Sequence, residues 1–202
     1  MKIVVLGASG RAGCEITREA AARGHAVTAV ARKPDAIPAA DGVTAVAGDA
    51  SDPAALAPLL EGADAVISAL HHDITADTLL TALKTAGVPR LLVTGGAGSL
   101  EVAPGVRLID TPAFPEAFKP YALPGLAFLD DLRDETGVDW TFFSPAALIE
   151  ETPRLGRYRT GTDQLVVDAN GDSKIGFSDY AIAMVDELEN PKHSRARFTA
   201  AY

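Results

Sequence analysis

Several common protein classes are excluded by what this sequence lacks. It has one cysteine, Cys14, so no intramolecular disulfide can form, which fits a reducing compartment. Its 18 Lys and Arg residues are outnumbered by 27 Asp and Glu, for a net charge of -9, and the cations form no cluster. Counterion-release binding to nucleic acid needs such a cluster, so no nucleic-acid partner is expected. An acidic total also disfavours anionic membrane surfaces. No apolar run approaches the ~20 residues of a membrane span. Met1–Leu6 is apolar but meets Gly7 too soon for the apolar stretch of a signal peptide, so a cytoplasmic protein is expected. The G-x-S-x-G elbow of the hydrolases is missing, as are internal repeats and a linker. Hydrophobic residues make up 48% of the 202, which is enough for one sizeable core. A single domain over 1–202 is expected.

What is present is an alternation of short apolar runs and helical patterns. Strands are expected at Lys2–Leu6, Ala26–Ala31, Val43–Ala47, Ala65–Ser68, Leu91–Thr94 and Trp140–Phe143. Helices are expected at Ala12–Arg23, from Pro53 to about Leu60, at Ile74–Ala86, at about Gly125–Glu135 and at Ser178–Leu188, with Ser178 as N-cap. Apolar strands separated by helices imply a parallel sheet covered on both faces. With right-handed crossovers this is an α/β, doubly wound Rossmann fold. Ala97–Pro120, rich in Pro and Gly, reads as an extended loop. The segment from about 145 to 202 reads as a small substrate-side region, with a strand near Leu165–Val167 and a last strand at Phe198–Tyr202.

Gly7-Ala8-Ser9-Gly10-Arg11-Ala12-Gly13 joins the first strand to the first helix with the spacing G-x-x-G-x-x-G. Gly7 permits the tight turn, Gly10 lets backbone approach a pyrophosphate, and Gly13 allows close packing. The helix N-terminus beyond offers free N–H groups and the positive end of a dipole. A dinucleotide satisfies both. The end of the second strand chooses between dinucleotides: an acid there bonds the ribose 2′-OH of NAD, and a cation meets the 2′-phosphate of NADP. Here Arg32-Lys33 stands in that place. Arg11 could reach the same phosphate from the other side. NADP(H) is therefore expected in preference to NAD(H). His71-His72-Asp73 lacks a further ligand at recognisable spacing, so no metal is expected.

Further stretches are Gly48-Asp49, Val66-Ile67-Ser68-Ala69, Thr94-Gly95-Gly96-Ala97-Gly98-Ser99-Leu100, Asp139–Pro145 and Ser178-Asp179-Tyr180-Ala181. With the glycine loop, they make the chain resemble the atypical short-chain dehydrogenase/reductases: the NmrA-like, biliverdin-IXβ-reductase-like and NADH-flavin-reductase-like group. The resemblance implies that Ser9, Gly10, Arg11 and Ala12 hold the phosphates, and that Arg32 with Lys33 meets the 2′-phosphate. It places Asp49 and Ala50 against adenine, and Ala69, Leu70 and His71 beside the ribose. Thr94, Gly95 and Gly96 would border the nicotinamide ribose, and Pro145 the carboxamide. Ser99 would be the polar group closest to a substrate, hence the candidate catalytic residue.

Typical members of that superfamily pair a Tyr with a Lys at i+4. The Lys holds the ribose and lowers the Tyr pKa. Here the residues at i+4 from Tyr121, Tyr158 and Tyr180 are Gly125, Thr162 and Met184, and Tyr202 is the last residue. Hydride transfer without that pair suits an acceptor whose rings delocalise the incoming electrons, such as a flavin or quinone. Two readings stay open: a reductase of a small conjugated acceptor, and a non-catalytic NADP(H)-binding redox sensor. The chain is expected to be a monomer or homodimer.

Overall fold

The structure, a computed structural model, describes residues 1–202. The chain runs β1 (Lys2–Leu6), α1 (Arg11–Ala22), β2 (Ala26–Ala31), β3 (Val43–Ala47), α2 (Pro53–Leu60), β4 (Ala65–Ser68), α3 (Ala76–Ala86) and β5 (Arg90–Thr94). It continues with a hairpin of β6 (Glu101–Ala103) and β7 (Val106–Arg107), then α4 (Lys119–Arg133), β8 (Asp139–Pro145), β9 (Leu148–Glu150), β10 (Arg159–Gly161), β11 (Lys174–Gly176), α5 (Phe177–Glu189) and β12 (Ala196–Ala201). One eight-stranded sheet has the order β10-β12-β8-β5-β4-β1-β2-β3. All its pairings are parallel except β10 with β12. The doubly wound expectation therefore holds.

Alternation along each strand feeds two cores. Ile3, Val5, Ile67, Leu92, Phe143 and Phe198 pack under α1 and α5, while Val4, Leu6, Val66, Leu91, Val93 and Phe142 pack under α2, α3 and α4. The chain leaves β1 for β2 on one side and returns to β4 on the other. That reversal opens a crevice beyond the carboxyl ends of β1 and β4, where ligands of such sheets bind.

Four expectations are corrected. Ala97–Pro120 is no featureless loop: it holds the β6–β7 hairpin and 3-10 turns at Ala97–Ser99, Leu108–Asp110 and Glu116–Phe118. The fourth helix begins at Lys119, ahead of Pro124. Pro120 sits in the first turn, where no N–H is needed, and burial of Phe128, Leu129 and Leu132 outweighs the one bond lost at Pro124. No strand forms at Leu165–Val167. Instead Leu165 N donates to Glu101 O at 2.8 Å, and β10 supplies the edge strand. Finally, Gly176 rather than Ser178 is the N-cap of α5, and the Ser178 hydroxyl is buried without a partner. Asp179 turns back to accept from Leu155 N and Gly156 N, fixing the loop that follows β9.

Candidate dinucleotide site

The turn out of β1 demands glycine at two positions. Gly7 has φ +75°, and a Cβ there would fall 2.5 Å from Ala69 O. A Cβ on Gly13 would fall 2.2 Å from Gly7 O, so α1 can pack this closely on the turn only without one. Gly7 N and Ala8 N both donate to Val30 O, at 3.0 and 3.2 Å, which ties the turn to β2. Gly10 is the N-cap of α1, and no side chain caps it. No acid stands in the first helical turn. The free N–H groups and the dipole are thus left for an external anion.

Two clefts meet at Ser9 and Gly10. The first runs across the ends of β1, β2 and β4 and brings together Gly7, Ser9, Gly10, Arg32, Asp49, Ala50, Ala69, Leu70 and His71. Arg32 is the cation of this cleft, which Asp49 and Asp73 also line. The Asp49 carboxyl is held below its usual range, chiefly by the N–H of Ser51 at 3.0 Å and in part by the Arg32 guanidinium. Lys33 is exposed, does not line the cleft and leads into a 3-10 turn at Pro34–Ala36, where Asp35 is exposed. Asp73 and Ile74 also line the cleft, although the sequence offers them only as part of a His-His-Asp run and as a helix start. They follow His71 in a loop without periodicity.

Arg11 lies on the other side of the turn. It lines the second cleft with Glu151, Thr152, Pro153, Phe177 and Ser178, and its guanidinium carbon sits 5.1 Å from the centre of the Phe177 ring. Arg11 and Arg32 thus flank the phosphate turn rather than converge on one point. Ala12 is half-buried in the first turn of α1. No local signal in the sequence announces the residues from 151 to 178, which reach this cleft only by long-range folding.

Thr94, Gly95 and Gly96 close β5 half-buried, and Gly95 N donates to Phe143 O at 2.8 Å. Pro145 ends β8, buried. Ser99 lines neither cleft. Its hydroxyl oxygen accepts from Arg197 Nη1 at 2.9 Å and its carbonyl accepts from the same nitrogen at 3.0 Å, while Arg197 Nε donates to Asp163 at 3.1 Å. Three of the four tyrosines are engaged elsewhere. Tyr158 donates to Asp186, Tyr180 to Phe143 O and Tyr202 to Asp179, and burial pushes all three phenols up. Tyr121 is 77% exposed, on the first turn of α4. No group of three or more His, Cys, Asp and Glu side chains gathers to hold a metal, and no helix is long and apolar enough to cross a membrane.

Comparison with known proteins gives the family and agrees with the fold. The NAD(P)H-binding family matches residues 7–191. The uncharacterised protein YwnB of Bacillus subtilis strain 168 is 43% identical over 210 residues, covering 98% of this chain and 97% of its own. The crystal structure of a candidate exported protein of Burkholderia pseudomallei shares 46% identity over 100% of both chains, with a TM-score of 0.91. That of a candidate NADH-flavin reductase of Streptococcus pneumoniae TIGR4 shares 35%, covering 100% of this chain and 99% of that one, with a TM-score of 0.85.

Proposed function

Because this chain belongs to the NAD(P)H-binding family, we propose that it is an NADPH-dependent oxidoreductase reducing a small conjugated acceptor such as a flavin or quinone. When bound, NADPH would supply a hydride to such an acceptor, whose accompanying proton would come from solvent. The observation that carries the reading is the pairing of an uncapped helix N-terminus at Gly10 with Arg32 at the end of β2 in one cleft. A pyrophosphate suits the first and a 2′-phosphate the second. The structural relative in Streptococcus, named as a candidate NADH-flavin reductase, supports the acceptor class.

The residues of the chain divide the work. The turn from Gly7 to Arg11 holds the phosphates. Asp49, Ala50, Ala69, Leu70 and His71 form the wall for the adenosine. Thr94–Gly96 and Pro145 border the nicotinamide half, and Ser99 holds the loop after β5 through Arg197 rather than delivering a proton. A fold that orients nicotinamide against acceptor and excludes water needs no tyrosine–lysine pair for such chemistry. The engagement of Ser99 and of three tyrosines also favours a second reading, an NADP(H)-responsive sensor without turnover. The site of action is proposed to be the cytoplasm.

Loss of NADPH absorbance at 340 nm with a panel of flavins and quinones separates the two. The reductase reading expects turnover that Gly10→Glu abolishes by filling the phosphate turn. Turnover no faster than in that variant contradicts it.

A further inference from the structure

A dinucleotide has two halves, and a doubly wound sheet gives each half one side of its reversal point. Arg32, Asp49 and His71 line the side of the first half. The second half must then pass over the carboxyl ends of β4 and β5. His72 follows β4 there. His71 and Asp73 line the adenosine cleft, and His72 between them does not. Its imidazole instead packs toward α4 and β8, with ring centroids 5.1 Å from Phe128 at 72° and 5.9 Å from Phe142. Phe142 is also the ring on which Gly95 rests: a Cβ on Gly95 would fall 2.1 Å from Phe142 Cε1. His72, Phe142 and the Gly95 turn are therefore contiguous.

The two ring nitrogens of His72 have different surroundings. Nε2 is buried and has no hydrogen-bond partner. Nδ1 faces α4 at Gly125, where a Cβ would stand 3.3 Å away. Gly125 is the single glycine of α4 and is buried in its interior, where glycine costs helix stability relative to alanine. Glycine at 125 thus lets the imidazole rest against α4, at the expense of the helix. Gly125 is also the residue at i+4 from Tyr121, so the imidazole reaches the point from which a lysine would otherwise extend. Burial, helped by the neighbouring His71 and opposed only by the Asp73 carboxylate, pushes the imidazole pKa down to about 4, so the ring is neutral at ordinary pH. A neutral imidazole suits a hydroxyl partner, which both donates and accepts and so serves either tautomer.

We propose that His72 Nδ1 hydrogen-bonds the ribose of the nicotinamide half, holding that ribose in place of the missing lysine. The inference rests on the reading that the cleft binds NADPH, and it adds a residue and a role to that reading.

Two ligands separate the halves: NADPH, and adenosine 2′,5′-bisphosphate, which lacks the nicotinamide ribose. His72→Phe keeps an aromatic ring against Phe128 and Phe142 but removes both nitrogens. Titration is expected to show NADPH bound about tenfold more weakly, the worth of one hydrogen bond, with the bisphosphate unchanged within about twofold. His72→Asn, which keeps a polar atom near the Nδ1 position, should restore most of the loss. Gly125→Ala should reproduce the loss while leaving the thermal midpoint equal or higher, which separates the effect from misfolding. Equal weakening of both ligands, or none in either His72→Phe or Gly125→Ala, overturns the proposal and leaves the NADPH reading standing. Failure of the unmutated protein to bind either ligand overturns both.

Discussion

The proposed preference for NADPH rests on Arg32. It is the cation of a cleft that also holds Asp49 and Asp73, so a dinucleotide without a 2′-phosphate would bring no anionic group to meet its charge. Arg32→Ala is expected to weaken NADPH by ~1–3 kcal/mol, the range for hydrogen bonds to a charged group, and to leave NADH nearly unchanged. Calorimetric titration of both nucleotides checks this, and equal losses would remove Arg32 from the 2′-phosphate. At this scale the sequence was legible where a residue's role is local. Gly7 and Gly13 stand where the turn admits no Cβ, and their spacing announces it. Arg11 was legible as part of the turn but not in its direction, because Phe177 reaches it only through the packing of α5 on α1. Ser99 was read as a substrate neighbour because its partner Arg197 lies 98 residues away.

The elements were legible in proportion to their burial. β1, β4 and β5 are almost wholly buried, and their apolar runs mark them. β9, β10 and β11 have three residues each, too few for a period to show. The start of α4 was hidden by two prolines, one harmless in the first turn and one tolerated inside. The end of α4 is joined to β8 by Glu135. Its carboxylate accepts from Lys84 Nζ at 2.7 Å, from Val138 N at 3.0 Å and from Gly137 N, linking α3 and α4 to the start of the strand. The Lys84 ammonium and these N–H groups hold the carboxyl below its usual value of about 4.5. A depressed carboxyl contributes stability in full above that value and loses it as pH falls through the lowered one. The thermal midpoint of the unmutated protein should therefore exceed that of Glu135→Gln above about pH 5, and the gap should narrow as pH drops below 4.5. A gap independent of pH would show that the charge of Glu135 does not support this junction.

Across the whole molecule, the sheet places its reversal point between β1 and β4, and every residue assigned to the cofactor lies at or beyond the carboxyl ends of the strands. The C-terminal third is woven into the same frame. β12 and β10 extend the sheet past β8, and the turn after β9 is pinned over the start of α5 by Asp179, so that Glu151, Thr152 and Pro153 face Arg11 across the second cleft. One extended ligand can thus run from Arg32, over the helix N-terminus at Gly10, to the ends of β4 and β5. A crystal structure grown with NADP+ tests this path most directly. The account predicts the 2′-phosphate within hydrogen-bond distance of Arg32, the pyrophosphate at the N–H groups of the Ser9–Ala12 turn, and the nicotinamide ribose beside His72 and Gly95. A nucleotide bound with its 2′-phosphate away from Arg32, or outside this crevice, would contradict it.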